Sequence, residues 1–247
     1  MTHALSRLVS ISDPVARLRA LRAGVEGRIV FTTSLGLEDQ VLTHLIAESG
    51  IAVEFATLDT GRLFPETYTL WRETEARYGI RIRAFYPRQE AVEALVNGQG
   101  IDGFYASLEA RKACCGVRKV EPLGRALAGA AVWLTGLRAD QSAARGATPL
   151  AEPNATYALL KVSPLIDWTR EAAAAFAAAN DVPVNALHAR GFLSIGCAPC
   201  TRAIAPGEPE RAGRWWWEDE TKKECGLHVD AQGRLVRGPT AAGEAQA

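Results

Sequence analysis

The chain has 247 residues, of which 48% are apolar and 23% charged, and its 28 basic and 28 acidic side chains give a formal net charge of zero. This composition excludes a disordered chain, leaves room for one good-sized core, and removes any global attraction to nucleic acid or an anionic membrane. An anion site must therefore be built locally.

The N-terminal stretch Met-Thr-His-Ala-Leu-Ser-Arg-Leu-Val-Ser lacks a long apolar core and a small-residue cleavage site, so no secretory leader is expected. Pro14 opens a short amphipathic helix with Val15, Leu18 and Leu21 on one face. Arg28–Thr33 is an apolar, β-branched run that reads as a buried strand. After the turn Ser34-Leu35-Gly36-Leu37, a helix starts at Glu38 and Asp39, where acidic groups suit the positive end of the dipole. The pattern then repeats. Strands are predicted at Ala52–Leu58, Arg81–Phe85, Ala131–Thr135 and Tyr157–Val162. Helices are predicted at Pro65–Tyr78, Gln89–Val96 and Thr169–Asn180, with Ser107–Ala128 largely helical. The apolar run Ala172–Ala179 is far short of the ~20 residues of a membrane span. Regularity fades after residue 185, and the last thirty residues are polar and aperiodic.

Strands alternating with helices predict an α/β fold: a mostly parallel, doubly wound sheet with right-handed crossovers. It should form one unit over residues 1–218, followed by a mobile C-terminal tail over 219–247. Ligands of such sheets sit at the carboxyl ends of the strands, where Thr33–Glu38, Leu58–Gly61 and Gly136–Gln141 fall. The Thr33–Asp39 loop lets backbone N–H groups approach a phosphate at a helix N-terminus, although it has neither a P-loop ending nor G-x-G-x-x-G. Taken alone, an ordinary βα turn is its favoured reading, as a tight turn is of Leu58-Asp59-Thr60-Gly61.

The five cysteines divide four plus one. Cys114 and Cys115 are adjacent, Cys197 and Cys200 form C-x-x-C, and Cys225 stands alone in Lys-Glu-Cys-Gly-Leu-His. With no leader the chain is expected in the cytoplasm, where paired cysteines serve more often as metal ligands or redox groups than as disulfides. Neighbouring cysteines on a helix differ by ~100°, which suits a multi-iron cluster better than one ion. A shared iron–sulfur site is the favoured reading, with zinc the main competitor. Lys119 follows Cys115 by one helical turn and could bring positive charge to both metal site and ligand. Arg211 and Arg214 are spaced to grip phosphate or sulfate together, and Arg138 adds a third cation after another strand. For Trp215-Trp216-Trp217, packing under the loops is favoured over service as a docking surface. Cys225 has Lys222, Lys223 and His228 nearby, and cations raise the thiolate fraction.

Taken in order, Cys-Cys-Gly-Val-Arg-Lys, Thr-Gly-Leu-Arg-Ala-Asp-Gln-Ser, Cys-Ala-Pro-Cys-Thr-Arg, Gly-Glu-Pro-Glu-Arg-Ala-Gly-Arg-Trp-Trp-Trp-Glu and Glu-Cys-Gly-Leu-His resemble the bacterial assimilatory adenylyl-sulfate reductases, the iron–sulfur type within the phosphoadenylyl-sulfate reductase family. The likeness runs from about residue 28 to 228. It implies an adenine-nucleotide α-hydrolase-like variant of the doubly wound sheet. It implies a 4Fe-4S cluster on Cys114, Cys115, Cys197 and Cys200. It places Lys119, Arg138, Arg211 and Arg214 on the phosphosulfate, and Thr33, Ser34, Gly36, Glu38, Asp39, Leu58 and Gly136 around the nucleotide. It makes Cys225 the nucleophile that takes the sulfo group from adenosine 5′-phosphosulfate, releasing AMP and leaving an S-sulfocysteine. No thioredoxin-like domain follows, so the expected reductant is a separate thioredoxin. Neither nucleic acid nor membrane is an expected partner, and self-association leaves no readable signature.

Three rivals stand beside this reading. The first is the same chemistry on 3′-phosphoadenylyl sulfate, alone or as dual use. Relatives with that preference typically lack the two cysteine pairs. The second is a tRNA sulfur-transfer enzyme, which should carry Ser-Gly-Gly-x-Asp-Ser where this chain has Ser-Leu-Gly-Leu-Glu-Asp. The third is a non-catalytic module holding structural zinc, which leaves Cys225 and the arginines without a role.

Overall fold

Alternation within the strands fixes how the layers assemble. In the computed structural model, which describes residues 8–142 and 145–219, the strands are β1 (Arg28–Thr32), β2 (Glu54–Leu58), β3 (Ile82–Phe85), β4 (Ala130–Leu134), β5 (Ala151–Asn154) and β6 (Leu159–Val162). Ile29 and Phe31 of β1 join one apolar cluster, with Val132 and Leu134 of β4; Val30 and Trp133 join the other. Successive side chains leave opposite faces of a pleated strand, so both faces are apolar and both must be covered. On the first face lie α1 (Pro14–Gly24), α2 (Leu37–Ser49), α3 (Pro65–Tyr78) and α7 (Arg170–Ala179), which contribute Leu18, Leu42, Leu70 and Ala173 to its cluster. On the second face α6 (Glu121–Leu127) supplies Leu123, Ala126 and Leu127. Two more helices, α4 (Gln89–Gln99) and α5 (Leu108–Cys115), precede it in the chain.

The sheet order is β3-β2-β1-β4-β6-β5, parallel throughout except for the antiparallel edge pair β5–β6. The chain leaves β1 toward β2 on one side and later returns to β4 on the other. The crevice between the carboxyl ends of β1 and β4 is therefore the topological switch point. Helix ends agree with local chemistry: Asp13, Ser107 and Thr169 cap α1, α5 and α7 through their side chains, each contributing about 1 kcal/mol.

Two departures from the sequence reading have physical causes. The edge strand β5 is Ala-Glu-Pro-Asn, with no alternation and a proline that cannot donate to a ladder. It survives because it is an edge, pairing Pro153 with Leu160. The helix predicted over Ser107–Ala128 is broken into α5, a π turn at Gly116–Val120, and α6. Pro122 has no N–H to give the Arg118 carbonyl, and the Glu121 N–H reaches back to Gly116 instead, which widens the turn. No helix among the described residues is long and apolar enough to cross a membrane. The tail expected over 219–247 lies, beyond Asp219, outside the described residues.

Candidate active site

The switch point holds a cavity of about 230 Å³. Its lining includes Thr33, Ser34, Gly36, Glu38, Asp39, Leu58, Lys119, Gly136, Arg211 and Arg214, every substrate-site residue expected from the sequence except Arg138.

One wall is made by the loops after β1 and β4. Asp39, at the start of α2, accepts from Ser34 N and Ser34 Oγ, both at 2.6 Å, and from the Gly136 N–H. It thereby ties the two loops together across the crevice. Burial pushes its carboxyl up to about 6, with the Glu38 charge adding to the rise and the Ser34 hydrogen bonds opposing it. Gly136 is required by this contact: a Cβ there would stand 2.3 Å from Asp39 Oδ1. Leu35 sits at φ +60°, a left-handed conformation that a non-glycine residue holds only when its surroundings impose it. Its N–H donates to Thr33 Oγ1 at 3.0 Å.

Arg138 stands behind this wall, fully buried. Its Nε donates to Glu38 at 2.9 Å, its Nη2 to Glu210 at 2.7 Å, and its Nη1 pairs with Asp140. Arg170 lies 3.5 Å from Glu210 and 4.0 Å from Glu38. A guanidinium already committed to three carboxylates organises the wall and presents little charge to the cavity.

The opposite wall is cationic. Arg211 and Arg214 come from an irregular segment in which Arg214 N donates to Arg211 O at 2.9 Å, so a turn sets their spacing. Arg214 is 7% exposed, its guanidinium carbon lies 4.7 Å from the Trp215 ring centroid, and its Nη1 donates to Ile195 O. Gly196 makes room for it: a Cβ there would fall 2.3 Å from Arg214 Nη2. Trp215 is fully buried while Trp216 is 39% exposed, so the tryptophan run divides between packing and surface.

Behind the cationic wall lies a second pocket, lined by Cys114, Cys115, Cys197 and Cys200 with Arg62, Phe104, Arg111, Arg118, Lys119, Pro199 and Trp215. The two cysteine pairs thus meet in space. Lys119, Cys197 and Trp215 line both pockets. Thr60 Oγ1 lies 3.2 Å from Cys197 Sγ, and Cys114 and Cys115 bond the guanidinium groups of Arg118 and Arg111. Burial raises the thiols of Cys114 and Cys200, the latter to about 11, with neighbouring cysteines adding to the rise and Lys119 opposing it. Such thiols lose their protons readily only to a metal centre or a strong base. No group of three or more His, Cys, Asp or Glu among the described residues is arranged to hold a single metal ion. Four sulfurs around a shared pocket, cations in its lining and no carboxylate suit an anionic multi-iron cluster. The buried Trp215 Nε1, which has no hydrogen-bond partner, adds a donor such a group would satisfy.

The sequence reading singled out neither Arg145 nor His188 nor Glu210, all of which line the switch-point cavity. Arg145 closely follows Thr-Gly-Leu-Arg-Ala-Asp-Gln-Ser, the one signal that pointed its way. His188 is fixed by Nδ1 against Phe192 O at 2.8 Å, and burial lowers its basicity. Cys225 lies outside the described residues.

The model of the phosphoadenosine phosphosulfate reductase domain matches residues 28–203. An adenosine 5′-phosphosulfate reductase of Sinorhizobium fredii (strain USDA 257) is 56% identical over 226 residues, covering 92% of this chain and 90% of its own. One from Agrobacterium fabrum is 58% identical over 228 residues, covering 92% and 87%. Among solved structures, phosphoadenylyl-sulfate reductase from Candida auris, in a phosphate complex, superposes with a TM-score of 0.69 at 27% identity, over 82% of this chain and 95% of that one. The chain belongs to the phosphoadenosine phosphosulfate reductase domain family.

Proposed function

We propose that the protein reduces adenosine 5′-phosphosulfate to sulfite and AMP in the cytoplasm, with Cys225 as nucleophile and a reduced thioredoxin as separate electron donor. The observation that carries this reading is the shared boundary of the two pockets: Lys119 and Cys197 face the nucleotide cavity and the four-cysteine pocket at once. The relatives named as adenosine 5′-phosphosulfate reductases support the choice of substrate.

In this reading the loops tied by Asp39 hold the nucleotide, and Lys119, Arg211 and Arg214 receive the phosphosulfate. The Cys225 thiolate attacks the sulfur of the phosphosulfate. A sulfur–sulfur bond forms as the sulfur–oxygen bond to phosphate breaks, and the leaving AMP oxygen takes the electron pair. The cations offset charge growing on that oxygen. A thioredoxin thiolate then attacks Cys225 Sγ and expels sulfite, and its second thiol resolves the mixed disulfide, so two electrons pass from dithiol to sulfur. Cys114, Cys115, Cys197 and Cys200 would hold a 4Fe-4S cluster. Bound there, it supplies electrostatic and structural support at the cationic wall through Lys119.

Intact mass after incubating anaerobically purified protein with adenosine 5′-phosphosulfate alone tests the proposal. The expected result is one sulfo adduct, mapped to Cys225 and removed by reduced thioredoxin. Its absence from protein with a full complement of iron would overturn the reading. The family description and the likeness to the Candida auris enzyme favour one second reading, use of the 3′-phosphorylated substrate. An adduct formed only with that nucleotide would establish it.

A further inference from the structure

Arg111 and Glu218 form a buried ion pair that the sulfo-transfer chemistry above does not use. Arg111 is 1% exposed, and the Glu218 side chain is 7% exposed. Nε and Nη2 of Arg111 donate to the two oxygens of Glu218, each at 2.8 Å, a bidentate geometry. The same guanidinium bonds the Cys115 side chain and lies 4.5 Å from the Trp215 ring centroid. Arg214, a cation of the nucleotide cavity, stacks on that same ring. The Glu218 N–H donates to Trp215 O at 2.9 Å. Arg111 thus joins the four-cysteine pocket, the platform under Arg214, and Glu218, seven residues before Cys225.

A buried ion pair is weak support for stability, because desolvation offsets most of the attraction. What it fixes well is position. Seven residues span at most about 25 Å, so the place where Glu218 is held bounds where the Cys225 thiol can lie. Holding a tethered reactant near its target raises its effective concentration, and a small displacement of the anchor lowers it.

We propose that Arg111 and Glu218 are positioning residues: their buried ion pair clasps the root of the Cys225 segment beside the four-cysteine pocket and the substrate cations, and the rate of sulfo transfer depends on it. The proposal rests on Cys225 being the acceptor thiol.

The test uses full-length, anaerobically purified Glu218→Gln protein, which keeps the side chain's shape and removes its charge. Three quantities are read: iron content, AMP affinity, and the single-turnover rate of adduct formation on Cys225 with adenosine 5′-phosphosulfate before any reductant is added. Iron content and AMP affinity should stay within about twofold of the parent while the adduct rate falls about 10- to 100-fold. Glu218→Asp, which restores the charge, should recover part of the rate. An adduct rate within about twofold of the parent would overturn the clasp. So would a joint loss of iron, AMP affinity and rate, which would make the pair a structural strut. If Glu218→Gln does not fold, Arg111→Lys carries the same three readouts. A parent enzyme that turns over without an adduct on Cys225 would sink the nucleophile reading, and the clasp with it.

Discussion

On the β1–β4 side of the cavity, Arg138 and Arg170 meet Glu38, Asp140 and Glu210, so cations and carboxylates answer one another inside the protein. On the four-cysteine side, Arg118 and Lys119 line a pocket whose lining holds thiols and no carboxylate, Arg111 and Arg62 turn to Glu218 and Asp102 outside that lining, and Arg214 stacks on a tryptophan. The same residue types thus serve two purposes. A buried guanidinium surrounded by carboxylates is architecture, and because its charge is answered inside the protein the wall packs without a ligand. Cations such as Arg118 and Arg214, which meet carbonyl oxygens, a thiol and an aromatic ring, leave positive potential for an anionic ligand to meet. Position within the charge pattern, more than residue type, separates scaffold from site.

The sharpest way to break that contrast is Arg138→Met. If the β1–β4 wall is architecture, removing its central cation leaves the buried Glu38 and the half-buried Glu210 without their partner, and unfolding free energy should fall by about 3–5 kcal/mol. Denaturant melts would measure this, and an unchanged melt with lost substrate affinity would move Arg138 to the other class.

Asp39 sharpens the same point through pH. Its folded pKa of about 6 lies above the ordinary carboxylate value, so the native state holds the proton more tightly than the unfolded chain does. The stabilising share of Asp39 is complete below about pH 4 and lost as pH rises through about 6. Compared with Asp39→Asn, which cannot titrate, the parent should therefore lose about 3 kcal/mol of relative stability between those limits. Melts of both proteins across that range would show it, and parallel pH curves would contradict the burial argument.

On the cationic wall, Arg214→Lys keeps the charge but loses the planar fork and the stacking on Trp215. Affinity for adenosine 5′-phosphosulfate should drop about tenfold, with a smaller change for AMP and little change in melting temperature. Competition binding would separate the two ligands. The smallest effect belongs to a pair outside both walls. Arg190, whose side chain is 63% exposed, bonds Glu66 at 2.8 Å, and Arg190→Ala should cost under about 0.5 kcal/mol in a melt.

Much of this was legible in the sequence because it is written in local patterns. The apolar runs of β1 and β4 announce buried parallel strands, and Pro14, Pro65 and Thr169 mark helix starts. The cysteine spacing directed attention to Cys114, Cys115, Cys197 and Cys200, which do line one pocket. What could not be read depends on distant partners. Ala-Glu-Pro-Asn becomes β5 only because β6 offers an open edge. The three carboxylates around Arg138 come from α2, from the turn after β4, and from the segment before Arg211, so no window of sequence displays the cluster. His188 likewise gains meaning from Phe192 and from the cavity it lines.

The π turn at Gly116–Val120 carries a last consequence. It inserts extra arc between a helix that ends in Cys114-Cys115 and one that packs Leu123 and Leu127 against the sheet. That arc sets the rotational phase of one half against the other. The turn closes i→i+5 where an α-helix closes i→i+4, so it takes up one extra residue with little change of phase, whereas one more residue wound normally would turn the halves about 100° apart. Either the cysteines would leave their pocket or the leucines would leave the core. The segment should therefore accept replacement of its side chains far more readily than a further insertion.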